Sequence, residues 1–100
     1  MQTTGQKLRE LREKENLLLR QVAACLEMDT ALLSKIERGV RHPNKEQVVA
    51  LAKFYKIKSD DLLVTWLGEK LVSEVQHEYF ALEAMQVAVE SIKSKKKNQK

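Results

Sequence analysis

Proline occurs once and glycine three times in these 100 residues. Hairpins and tight turns draw heavily on both types, so their scarcity leaves a sheet few places to turn and favours helices. Cys25 stands alone, which excludes an intrachain disulfide and a paired-cysteine metal site. A single thiol suits a reducing compartment and reads as a small helix residue without redox work. Five aromatic residues are too few for a surface that stacks single-stranded bases. No uncharged run approaches the roughly 20 residues of a membrane span. The opening MQTTGQKLRE has no apolar signal core, so a soluble cytoplasmic protein without a membrane partner is expected. Phosphate-cradling glycine loops, metal-spaced His, Cys and Glu sets, and a nucleophile beside a credible base are all missing. An enzyme is therefore not expected, and neither is a cofactor, a metal or a small-molecule ligand.

Charge is plentiful and unevenly spread. Residues 1–58 hold twelve Lys and Arg against seven Asp and Glu, a net of +5. Residues 59–92 hold one Lys and seven acids, a net of −6, and residues 93–100 add five lysines. A basic body, an acidic distal segment and a basic end suggest separate faces for separate partners. The hydrophobic share of 43% supports one modest core.

Along the chain, residues 5–16 read as a first helix, with Thr4 as cap, Leu8 and Leu11 inward and Asn16 as a left-handed stop. A second helix covers roughly 19–26, turning Val22, Ala23 and Leu26 inward. After a turn at EMD, Asp29 caps a third short helix that Gly39 ends. Pro43 keeps His42 out of a helix, and Asn44 with Gln47 forms a capping-box pattern. The fourth helix runs to about Tyr55, burying Val48, Leu51, Ala52 and Tyr55. Ser59 caps a fifth, DDLLVTW, whose first-turn acids suit the helix dipole. From Glu69 to about Ser94 the chain reads as one long helix or two joined near Gln76–His77. The three expected regions are 1–67, a basic helical domain; 68–94, a helical extension; and 95–100, a disordered basic tail.

The third helix carries the functional signal. At about 100° per residue, Thr30, Ala31, Ser34, Lys35 and Arg38 share an arc of about 140°. Leu33 and Ile36 lie opposite, and Leu32 falls on the boundary, either sealing the core edge or touching a thymine methyl. A face of small groups, hydroxyls and long cations can enter a major groove: small residues allow close approach, and Lys donates to guanine. On its own this is also an ordinary amphipathic surface helix. Two short helices joined by a three-residue turn, with Ala23 permitting a close crossing, make a helix-turn-helix whose second member is the reader.

KLRELREKENL, QVAACLEMDTALLSKIERG, Pro43 and QVVALAKFYKIKSDDLL together resemble the lambda-repressor-like, or XRE-type, helix-turn-helix regulators over about residues 5–63. The resemblance implies an all-α fold: a five-helix DNA-binding domain with a C-terminal helical extension. It implies that Thr30, Ala31, Ser34 and Lys35 read bases and that Arg38 contacts phosphate. It also matches Arg12 and Glu37 to a buried structural ion pair, which serves specificity of fold more than net stability. Leu18 and Leu19 depart from the family, which usually has Ser or Thr, then Gln, at those places. The phosphate clamp that the Gln provides is thus absent or moved to Arg20 or Gln21. Glu27 replaces the usual turn glycine, and Lys56 stands where glycine often ends the fourth helix. Arg41 and Lys45, with His42 a weaker candidate, follow the reading helix where phosphates or the minor groove would be reached.

Leu71, Val75, Leu82, Met85, Val89 and Ile92 form a stripe close to heptad spacing, broadened by Val72, Tyr79 and Phe80. A second copy of the chain is the simplest occupant, and Glu78, which interrupts the stripe, favours a compact interface over a long parallel coiled coil. The expected function is a homodimeric, sequence-specific transcriptional regulator that binds a pseudo-palindromic operator in double-stranded DNA. Its size suits a repressor or an operon controller, and the resemblance alone implies a controller of the kind found beside restriction–modification genes. The alternative is an antitoxin that regulates its own operon and binds a toxin through the acidic distal helices. A third reading is a protein-interaction module on the same fold.

Overall fold

A computed structural model describes residues 2–98, and all regular structure among them is helical. The six helices are α1 (Thr4–Lys14), α2 (Leu19–Cys25), α3 (Thr30–Glu37), α4 (Lys45–Phe54), α5 (Ser59–Val75) and α6 (Ala81–Asn98). They form two compact units, Met1–Glu69 and Lys70–Lys100.

The first unit is built around α3. Leu33 and Ile36 of α3 meet Leu8 from α1, Val22 and Ala23 from α2, Val48 and Leu51 from α4, and Leu62 and Trp66 from α5 in one buried cluster. Helix α3 packs on both α1 and α2. At Gly5 the first of these contacts leaves no room for a side chain. A Cβ there would lie 2.5 Å from the carbonyl oxygens of Ile36 and Glu37.

Helices α1 to α4 end in the same way. The residue after each C-cap takes positive φ: Asn16 at 56°, Glu27 at 52°, Gly39 at 76° and Lys56 at 56°. The next N–H then bonds back five positions: Leu17 to Arg12, Met28 to Ala23, Val40 to Lys35 and Ile57 to Ala52. This is the Schellman closure, which satisfies carbonyls left over at a helix end. Glycine fills one of the four positions. The other three carry a left-handed penalty of about 1 kcal/mol each. Leu17, Met28 and Ile57, the apolar residues that follow, pack against the core and offset it.

Several boundaries differ from the sequence reading. Thr3, not Thr4, caps α1: its hydroxyl accepts from Gln6 N–H at 3.1 Å, and Gln6 Oε1 accepts from Thr3 N–H at 2.9 Å. Thr4 is instead buried, with Glu69 accepting from its backbone N–H at 2.6 Å and also from its hydroxyl. Helix α1 stops at Lys14, because the closure needs Glu15 as cap before Asn16 turns left-handed. Ser59 is the first helical residue of α5, not a cap outside it. Helix α5 continues through Gly68 to Val75, so residue 68 opens no new element and the first unit closes at Glu69.

In the second unit the chain turns at residues 76–80, near the expected Gln76–His77 joint, and α6 follows. Lys95, Lys96 and Lys97 lie in its last turn, where cations suit the carbonyl end of the dipole, instead of in a disordered tail. Residues 99 and 100 of that expected tail lie outside the described residues. No helix among the described residues is long and apolar enough to cross a membrane.

Candidate nucleic-acid interface

Asp29 starts α3 as an N-cap, its carboxylate accepting from Ala31 N–H at 2.7 Å. Leu33 and Ile36 are buried beneath the helix, while Thr30, Ala31, Lys35 and Arg38 are exposed and Ser34 is half-buried. One turn-spaced face of α3 therefore presents small groups, hydroxyls and cations to solvent, and the opposite face is anchored. Leu32 is half-buried against the core and lines a shallow groove of roughly 370 Å³ with Leu26, Met28 and Ala50. The core-edge reading of Leu32 is the one this geometry favours.

The far end of α3 is locked from inside. Glu37 is buried, with its side chain 4% exposed, and Arg12 reaches it from α1. Arg12 Nε donates to Glu37 Oε2 at 2.9 Å, and Arg12 Nη2 donates to Oε1 at 3.0 Å, a two-point fork. Arg12 Nη1 donates to the Leu17 carbonyl at 2.9 Å, which ties the α1–α2 link into the same group. The hydrogen bond to Glu37 raises the Arg12 pKa beyond its ordinary value. Tyr55 packs nearby with its hydroxyl buried and no protein hydrogen-bond partner. Burial first, then the Glu37 charge, push its phenol up to about 12, against a smaller opposing pull from Arg12.

Arg20 is exposed on α2, and Arg41 and Lys45 are exposed beyond α3. Gln21 is exposed, but its Oε1 accepts from Leu18 N–H at 2.8 Å. Leucine at the cap has no acceptor of its own, so this is half a capping box, and only the Gln21 amide NH₂ remains for another partner. The loop after α3 is pinned at both ends. Val40 and Arg41 N–H both donate to the Lys35 carbonyl, at 2.9 and 3.2 Å. At the other end, Trp66 Nε1 donates to the Pro43 carbonyl at 2.7 Å, and His42 stacks on the indole. Pro43 is buried, while Asn44 and Gln47 close a full capping box that starts α4 beside it.

Two features went unread in the sequence. Val40 is 67% exposed between Arg38 and Arg41, although its counterparts after the other three helix ends pack inward. Val64 and Leu67 are exposed on α5. A run as apolar as LLVTWL on every side of a helix leaves some of it uncovered, and that signal was present. In the second unit Leu71, Leu82, Val89 and Ile92 are exposed, and Val75 and Met85 are half-buried.

A short helix held from behind and open in front, following a second short helix and a tight turn, defines a helix-turn-helix DNA-binding domain. The chain belongs to the helix-turn-helix domain family, whose model matches residues 4–66. It is 34% identical over 74 residues to the HTH-type transcriptional activator BcrR of Enterococcus faecalis, covering 74% of this chain and 35% of that protein. It is 38% identical over 58 residues to the HTH-type transcriptional regulator DdrOP3 of Deinococcus deserti, covering 58% of this chain and 45% of that one. The chain thus spans less than half the length of these curated relatives. By name they are HTH-type regulators of transcription, a class without enzymatic chemistry.

Proposed function

We propose that the protein is a sequence-specific transcriptional regulator of the lambda-repressor-like, XRE-type subclass. It acts in the cytoplasm as a homodimer on a pseudo-palindromic operator, as a repressor or operon controller. The observation that carries this reading is the exposed face of α3, fixed from behind by Leu33, Ile36 and the Arg12–Glu37 fork. In this reading Thr30, Ala31, Ser34 and Lys35 read base edges in the major groove. Arg20, the Gln21 amide, Arg38, Arg41 and Lys45 contact phosphates and set the register. The test is Lys35→Ala against a panel of selected and random DNA. Sequence preference should relax while nonspecific affinity changes little; equal losses on every sequence would remove Lys35 from the reading set.

The homodimer rests on the exposed apolar residues of the second unit, Leu71, Leu82, Val89 and Ile92, joined by Val75 and Met85. Leu82→Asp with Ile92→Asp should leave a folded monomer that binds operator weakly. An unchanged dimer on sizing would rule this surface out. The same exposed face, set among acids, also favours a second reading, an antitoxin that captures a toxin there. Co-purification with a small basic protein from the neighbouring gene would select it.

A further inference from the structure

Helix α6 carries Leu82, Met85, Val89 and Ile92 at steps of three, four and three residues, which places them on one stripe. Leu82, Val89 and Ile92 are exposed. A charge lies beyond each end of the stripe. Lys96 stands four residues after Ile92 within α6, and Glu78 stands four residues before Leu82 in the turn of residues 76–80 that leads into the helix. In sequence the series has the same spacing read from either end, and its two flanking charges are opposite. Both are exposed, and the Glu78 carbonyl accepts from the N–H of Ala81, the first residue of α6, which holds that turn against the start of the helix.

From this we infer that α6 pairs antiparallel with α6 of a second copy, about a two-fold axis between Met85 and Val89. The inference rests on the homodimer reading and gives it a geometry. Turned end for end, Leu82 meets Ile92 of the second copy, Met85 meets Val89, and Glu78 meets Lys96. Each of these contacts occurs twice, as an isologous interface requires. The parallel alternative places Lys96 against Lys96, with Lys93, Lys95 and Lys97 of both copies crowded around them. It also aligns the two helix dipoles, whereas antiparallel pairing opposes them. Charge thus selects one of the two ways in which the same apolar stripe can close.

The full-length chain tests this by sedimentation equilibrium with Glu78→Lys, Lys96→Glu and the double exchange. Each single change removes two ion pairs and creates two like-charge contacts, so the dimer dissociation constant should rise about tenfold. The double exchange should return it to within about twofold of the parent. A Lys96→Glu dimer as tight as the parent or tighter, or a double exchange no better than the singles, overturns the antiparallel arrangement. A second measurement uses Cys25→Ser chains bearing either Leu82→Cys or Ile92→Cys. The mixture should cross-link on mild oxidation and neither chain alone should. Rapid cross-linking of Leu82→Cys by itself indicates the parallel pair and overturns the proposal. A parent chain that is monomeric at every concentration overturns the homodimer reading as well, whereas a dimer with the wrong exchange pattern overturns the geometry alone.

Discussion

The rings of His42 and Trp66 lie 5.6 Å apart at 14° to one another, and the same indole donates to the carbonyl of the intervening neighbour, Pro43. The loop that carries Arg41 is therefore fastened to α5. Trp66→Phe keeps a ring but loses the donor. It should cost about 1–2 kcal/mol in denaturant unfolding. If Arg41 contacts phosphate as proposed, affinity should fall for all DNA sequences alike, measured by fluorescence anisotropy, because a loosened loop would misplace that contact and leave base reading untouched.

Arg12 and Glu37 give a second prediction. Arg12→Ala leaves a buried carboxylate without its fork and should cost about 3–5 kcal/mol. Arg12→Met with Glu37→Leu removes both charges and should recover most of that loss. A double variant as unstable as Arg12→Ala would mean that the charges themselves, not the unpaired remainder, hold α1 to α3. Thermal and urea unfolding of the three chains decide it.

Gly5 and Gly68 should respond in opposite directions to alanine. Both lie inside helices, where glycine normally costs about 1 kcal/mol relative to alanine. At Gly5 the added Cβ meets two backbone carbonyls of α3, which cannot yield without parting the helices. Gly5→Ala should therefore destabilise by several kcal/mol, on the order of other overpacked cores. At Gly68 nothing lies within 4 Å of the added Cβ, so Gly68→Ala should stabilise by up to about 1 kcal/mol.

Tyr55 sets an alkaline limit. Its pKa rises from 10.0 to about 12 in the folded protein. Between those values the unfolded chain has released the phenolic proton and the folded chain still holds it. Stability accordingly falls with rising pH across that window, by at most about 1.4 kcal/mol per pH unit from this group. Tyr55→Phe should flatten that part of the profile. At neutral pH it should be neutral or slightly stabilising, because it removes a buried hydroxyl with no protein partner.

What could be read in advance depended on how local its cause was. Asp29, Gly39 and the Asn44–Gln47 pair act within a turn of themselves, and their helix ends were legible from spacing alone. The anchored face of α3 was legible for the same reason, since Leu33 and Ile36 oppose Lys35 and Arg38 on any helical wheel. The choice of Thr3 over Thr4 was not, because Glu69 makes it from 65 residues away. Nor was the run of α5 across the expected 67/68 boundary: Gly68, with free space around it and helix formers on both sides, simply continues the helix. The hold on Pro43 and His42 depends on where α5 brings Trp66, which no local pattern encodes.

The bond between Thr4 and Glu69 also bears on the order in which the domain can assemble during synthesis. The first residue of α1 emerges early, yet the carboxylate that meets its N–H belongs to the penultimate turns of α5. Until residue 69 has been made, α1 can form its own Thr3 capping box but its buried threonine lacks a partner. Helix α3, which packs on α1, should reach its final rigidity only after that point. A nascent chain ending at residue 66 would contain every part of the helix-turn-helix and still lack its clasp.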